Sequence, residues 1–407
     1  MEVPLKQYYG FRRLMLIVAI WVMMVISIYQ YSWFLFAFVL ANELKWDPAT
    51  IGLTFTVFSY AATFIQPFSG YIADSFGPRK VSILAAILVG LGFILSSRAA
   101  SPMELYFYYG LGSVGVGILY GLSTASAIKW FPDKRGLATG LVVFGFGAGT
   151  ALFNWIIQRS LDAHGLWLTF QYLGFLMLLV LIPSALFYKY PPSQWQPSAP
   201  EAAKKIVIPS LEFKPQEMLR TYQWYLIYFC FAFTVSLVLM FAAQMKMLAK
   251  EYNLPQNYFN WLLVIFPLGN GLSRIVAGAV SDKLGREKTM MIFYGFLGLS
   301  VIALLNFGEH PLTFVIIVFI TALLGGAPFA MYPATIGDYY GAKYSTVNYG
   351  ITYTAKAWAG LISGWVSGYL VAQSGSYKVP LITVAICSMV AALFSNPRLM
   401  KSPHKKV

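Results

Sequence analysis

The chain has 407 residues, of which 58% are hydrophobic and only 11% charged, with a net charge of +14. A soluble globular chain carries roughly 25% charged residues, so this composition excludes an ordinary soluble domain. Two cysteines and three histidines leave almost nothing for a metal centre or a Cys/His nucleophile, and no metal, cofactor or enzymatic chemistry is expected.

Apolar stretches long enough to cross a hydrocarbon core about 30 Å thick recur along the whole length. Twelve spans are predicted, at 14–41, 51–73, 81–100, 105–128, 137–158, 166–188, 222–248, 259–280, 289–307, 311–336, 346–372 and 378–396. The first apolar run is too long for the core of a signal peptide, so cleavage is not expected. Cys230 and Cys387 fall inside spans and read as packing residues.

The charge could suggest nucleic acid, but its placement argues for a membrane. Of the 29 Lys and Arg, only Lys45, Arg98, Arg159, Lys246, Lys250 and Lys378 lie in loops on the side opposite the termini; two more are mid-span. The remainder crowd the tails and the loops on the termini's side. That is the positive-inside pattern, which predicts both termini in the cytoplasm and a multi-pass protein of the cell (inner) membrane. The expected partners are the bilayer and a small substrate, with no nucleic acid, and the chain is expected to act as a monomer.

A Pro-, Ala-, Ser- and Lys-containing stretch at 189–221 reads as a cytoplasmic linker. It predicts an N-terminal half at 1–188, a C-terminal half at 222–396 and a basic tail at 397–407. "GYIADSFGPRK" (70–80) after the second span recurs as "GAVSDKLGREK" (278–288) after the eighth, a spacing that signals parallel repeats. Each copy carries an acid (Asp74, Asp282), a turn glycine (Gly77, Gly285) and a basic cluster that includes Arg79 or Arg286. The repeat reads either as a tight turn with membrane-surface anchors or as a gate, in which the acid caps the positive end of a helix of the opposite half. Two copies, each after the second span of a six-span half, resemble the major facilitator superfamily. The resemblance implies an all-α integral membrane protein of twelve transmembrane helices in two pseudo-repeated halves.

All fifteen Asp and Glu fall in loops, tails or span ends, whereas Arg274 and Lys356 lie mid-span. Lys356 is about 20 Å of helix beyond Lys343, too far to reach the surface. A charge at bilayer depth costs about 2.5–3.5 kcal/mol on the insertion scale. Two like charges cannot neutralise each other, so the missing counter-charge reads as a visiting anion, most economically a carboxylate. Asn270, one turn before Arg274, is a polar partner for it, and small residues beside both cations (Gly271, Ala277, Gly278; Ala355, Ala359, Gly360) leave room for a ligand. Arginine grips a carboxylate with two parallel hydrogen bonds while lysine acts as a point charge. The pair therefore suits either a dicarboxylate bridging both groups or a monocarboxylate on Arg274 in the field of Lys356.

"QYSW" (30–33), "GVGILYG" (115–121), "KWFPDKRGLATG" (129–140), "EMLRT" (217–221) and "NYGITYTAKA" (348–357) resemble the oxalate/formate antiporter family, which is related to monocarboxylate transporters. The resemblance implies that Arg274 and Lys356 bind substrate carboxylates and that Tyr31, Tyr120, Phe146, Phe329 and Tyr353 wall the site. Three departures stand out: Ser59 where the family has glutamine, Gly325 where it has tryptophan, and Phe146 where it has tyrosine. They are expected to widen the site and remove hydrogen-bond donors. The expected activity is alternating-access antiport of oxalate- and formate-like anions; the alternative is proton-coupled monocarboxylate symport, which is disfavoured by the lack of an acid inside any span.

Overall fold

The computed structural model describes residues 5–132, 134–192, 212–341 and 344–403; the side chains of residues 5–8, Asp74, Arg135 and Thr346 are outside the description. Most of the expected linker, 193–211, and the end of the basic tail, 404–407, also lie outside the described residues. Among the described residues every regular element is helical.

Among the described residues, nine helices are long and apolar enough to cross a membrane, and they account for ten spans. Tyr9–Asn42 is span 1, Pro48–Ser69 span 2, Pro78–Ser96 span 3 and Pro102–Trp130 span 4. The 52-residue helix Gly136–Phe187 contains spans 5 and 6. Gly165, at φ 74° and ψ −178°, breaks it between them, since that conformation is open only to glycine. Tyr222–Glu251, Gln256–Leu284, Arg286–Phe307 and Pro311–Tyr340 are spans 7 to 10. Span 11 is built from four pieces, Ser345–Tyr353, Ala355–Leu361, a π-helical turn Ile362–Val366 and Ser367–Ser374, and span 12 is Lys378–Phe394.

The internal repeat is legible in the backbone. Gly77 ends one helix at φ 87°, ψ 137° and Gly285 ends its counterpart at φ 89°, ψ 155°. Both therefore hold the left-handed turn for which glycine carries no steric cost.

The halves meet along two antiparallel seams, span 2 against span 11 and span 5 against span 8, and also where span 1 packs on span 7. Small residues let the backbones approach, as expected where dispersion rather than the hydrophobic effect drives association. A Cβ on Gly52 would stand 2.2 Å from the Gly364 carbonyl oxygen, and one on Gly147 2.9 Å from Gly271 Cα. We call the membrane face holding both termini the terminal face and the opposite one the far face. At the far face, Lys250 Nζ of span 7 donates to Asn42 Oδ1 of span 1, and Lys246 Nζ donates to Gln158 Oε1 of span 5 at 2.6 Å. Toward the terminal face spans 5 and 8 diverge. Gly147 faces Gly271, and the Arg274 guanidinium reaches the Val143 carbonyl. Gly140 and Gly278, the next pair along the seam, have nothing within 4 Å of where a Cβ would be. The halves are thus in contact at the far face, whereas spans 5 and 8 stand apart toward the terminal face.

Candidate functional site

Arg274 and Lys356 lie between the halves, on spans 8 and 11, and are 3% and 2% exposed. No ion pair to either is present among the described residues. The Arg274 guanidinium instead donates through Nη1 to the Val143 carbonyl of span 5 and lies 3.5 Å from Asn270 Oδ1 through Nη2. Its Cζ sits 4.9 Å from the centre of the Phe329 ring. Gly147 makes this reach possible, since a Cβ there would stand 3.1 Å from Arg274 Cζ.

Lys356 is held differently. Its Nζ lies 5.7 Å from the ring centres of Phe58 and Phe146 and 5.6 Å from that of Tyr353. Ring faces carry partial negative charge and attract a cation within about 6 Å. Three rings thus replace a carboxylate partner in part. They leave the ammonium free to meet an anion.

The remaining expected side chains join these two. The Tyr31 hydroxyl donates to Asn270 Oδ1 at 3.0 Å, linking span 1 to span 8. The Phe146 ring stands 5.7 Å from Tyr31 and 5.1 Å from Tyr120. Tyr120 lies 5.7 Å from Tyr353, which lies 6.3 Å from Phe329. The five expected aromatic residues, together with Asn270, therefore form one continuous box around the two expected cations. Arg274 Nε and Asn270 Nδ2 are buried and have no hydrogen-bond partner among the described residues, and the Gln30 side chain lies within hydrogen-bonding reach of Tyr31. Buried polar groups are normally paired, and these two donors depart from that rule. Sequence reading missed Phe58 and Gln30. A polar amide inside the apolar first span, beside Tyr31, was the available signal for Gln30; one phenylalanine among 32 gave none for Phe58.

Two expectations need correction. Gly325 does not widen the site: a Cβ there would meet Val238 Cβ at 2.8 Å and Leu297 at 3.7 Å, so the position faces spans 7 and 9. Ser59 opens no space either, because it fills the contact with Gly360, whose added Cβ would lie 2.1 Å from Ser59 Cβ. Phe146 does line the box, without the hydroxyl of a tyrosine.

The expected gate residues sit apart from the box, at the terminal face. Asp282 pairs with Arg286 at 2.7 Å, and Arg286 Nε reaches Asp338 Oδ2 at 2.9 Å. All three belong to the C-terminal half, so Asp282 does not cap a helix of the opposite half here; spans 5 and 8 diverge on this face, and Arg286 lies just past the Gly285 turn that follows the acid. Arg79 is exposed on the first turn of span 3. The Asp74 side chain lies outside the description.

The family model described as Major Facilitator Superfamily matches this chain twice, over residues 20–245 and 224–406. The chain belongs to the major facilitator superfamily. It is 33% identical over 404 residues to the oxalate:formate antiporter of Oxalobacter formigenes, covering 98% of this chain and 94% of that one. It is 25% identical over 391 residues to a probable sulfoacetate transporter of Cupriavidus necator, covering 90% of this chain and 89% of that protein. Among solved structures, the xylose transporter XylE of E. coli superposes with a TM-score of 0.74 at 13% identity, covering 94% of this chain and 95% of that one. The chain is thus a multi-pass membrane transporter rather than an enzyme.

Proposed function

We propose that this transporter carries small organic anions by alternating access, exchanging one carboxylate for another in the manner of an oxalate/formate antiporter. The observation that carries the proposal is the aromatic box with two buried cations and no carboxylate. A dicarboxylate would bridge Arg274 and Lys356, the guanidinium turning from the Val143 carbonyl to a bidentate grip while Tyr31, Tyr120 and Tyr353 flank the ligand. The anion neutralises the site and lowers the cost of sealing it from water. An empty site carrying two positive charges resists that sealing, and this favours obligatory exchange.

The terminal face is taken as cytoplasmic from the distribution of Lys and Arg, in the cell membrane. The halves, 1–188 and 222–396, would rock about the box, joined by the linker 189–221. Asp74, Arg79, Asp282 and Arg286 would act at the cytoplasmic gate in the opposite state.

Vesicles preloaded with formate, oxalate, lactate or nothing, and presented with labelled oxalate or lactate, test the reading beside Arg274→Gln and Lys356→Met. Oxalate entry only against a preloaded anion, lost in both variants, is the expected result. Lactate entry with protons into empty vesicles would instead establish proton-coupled monocarboxylate symport.

A further inference from the structure

Both seams between the halves carry a backbone irregularity in the C-terminal half, and each is met by a polar side chain of the N-terminal half. In span 8, Pro267 has no N–H to give, so the Leu263 carbonyl one turn earlier loses its helical donor. Asn154 of span 5 supplies the missing bond: its Nδ2 donates to Leu263 O at 3.1 Å. The amide is oriented by Ser32 of span 1, whose hydroxyl donates to Asn154 Oδ1 at 2.7 Å. Asn154 and Leu263 are fully buried, so water cannot replace the bond.

In span 11 the irregularity is the π-helical turn Ile362–Val366, where the backbone pairs at i→i+5. The Thr56 hydroxyl of span 2 sits inside it, accepting from Trp365 N–H at 3.1 Å and lying 3.2 Å from Gly360 O. The same hydroxyl lies 3.1 Å from Gly52 O in its own helix. Its single proton serves one carbonyl at a time. When the halves part, Thr56 can turn to Gly52 O and remain satisfied.

We infer that Asn154 and Thr56 are paired gating residues, each filling a backbone gap in the opposite half, and that together they lock the far face shut. The two bonds lie on the far-face side of Arg274 and Lys356, where opening of that face must separate spans 2 from 11 and 5 from 8. The inference rests on the alternating-access reading but not on any choice of substrate.

The test measures distance rather than transport. In a background with Cys230 and Cys387 replaced, nitroxide pairs are placed at the exposed positions His164 and Gln256, across the span 5–8 seam, and at Leu44 and Gln373, across the span 2–11 seam. Pulsed electron resonance on the reconstituted, anion-free protein reads the fraction with a long far-face distance. A net hydrogen bond contributes about 0.5–1.5 kcal/mol, so Thr56→Val and Asn154→Leu should each raise the open-to-closed ratio roughly 2- to 12-fold. Thr56→Ser, which keeps the hydroxyl, should match the wild type. Asn154→Ala has no group to give and should open like Asn154→Leu; it carries the test if the leucine variant does not fold. Unchanged distances in Thr56→Val and in the Asn154 variants overturn the inference, as does a Thr56→Ser shift equal to that of Thr56→Val. Because the readout needs no substrate, exchange can fail in vesicles while the lock stands, or the reverse.

Discussion

Replacing Lys356 by methionine should stabilise the empty protein and destroy its response to anions. The lysine is 2% exposed. A cation at such depth costs about 2.5–3.5 kcal/mol on the insertion scale. Its three neighbouring rings stand at 5.6–5.7 Å, near the outer limit of a useful cation–π contact, so each returns only about 0.5 kcal/mol. The unbalanced remainder is about 1–2 kcal/mol. Methionine is unbranched and apolar, and it removes this cost without leaving a buried amide unpaired. Melting followed by a thiol-reactive dye on the buried Cys230 should show Lys356→Met unfolding about 1–3 °C above wild type without anion, since ΔΔG shifts Tm less in a longer chain. Saturating anion at a hundred times its Kd should then raise the wild type by about 2.7 kcal/mol and leave the variant nearly unmoved. The order of stability inverts. A variant less stable than wild type by 2 kcal/mol or more at every anion concentration would refute the reasoning, because it would mean the ammonium already has a structural partner.

Tyr31→Phe removes the hydroxyl that donates to Asn270 Oδ1 across the halves; a loss of about 1 kcal/mol predicts roughly a fivefold weaker apparent affinity, read as KM for exchange. Gly52→Ala puts a Cβ 2.2 Å from Gly364 O, and since backbone must yield, about 1–3 kcal/mol of overpacking should lengthen the Leu44–Gln373 distance. Asp47 caps span 2, accepting from Ala49 N and Thr50 N at 3.0 Å and from the Thr50 hydroxyl. Burial would raise its carboxyl, but the bonds from Thr50 and Ala49 outweigh it and hold the group below its ordinary value of 3.8. The cap's contribution is therefore full above that ordinary value and lost as pH falls through the lower folded one. Melting between pH 2 and 6 should show that loss in wild type and not in Asp47→Asn, with Asp47→Ala weaker by about 1 kcal/mol at neutral pH.

The sequence by itself determined the membrane class, the twelve spans and the repeat, because length and hydropathy are local properties and the bilayer admits few ways to satisfy a spanning backbone. It also singled out Arg274 and Lys356, since a charge without an acid in any span is visible in a string of letters. Even the turn glycines Gly77 and Gly285 were legible from their matching places in the two copies. Only the tertiary structure decided what surrounds the cations. One phenylalanine among 32 is indistinguishable by type, and Phe58 was found only by its 5.7 Å distance to Lys356. The same holds for Gly325, whose direction depends on how span 10 is turned against span 7. Asn154 and Thr56 read as ordinary polar residues in apolar helices. Their role appears only once Pro267 and the π turn, far away in the chain, are packed against them. Such pairings depend on rotation and register between helices, which helix packing sets and composition does not.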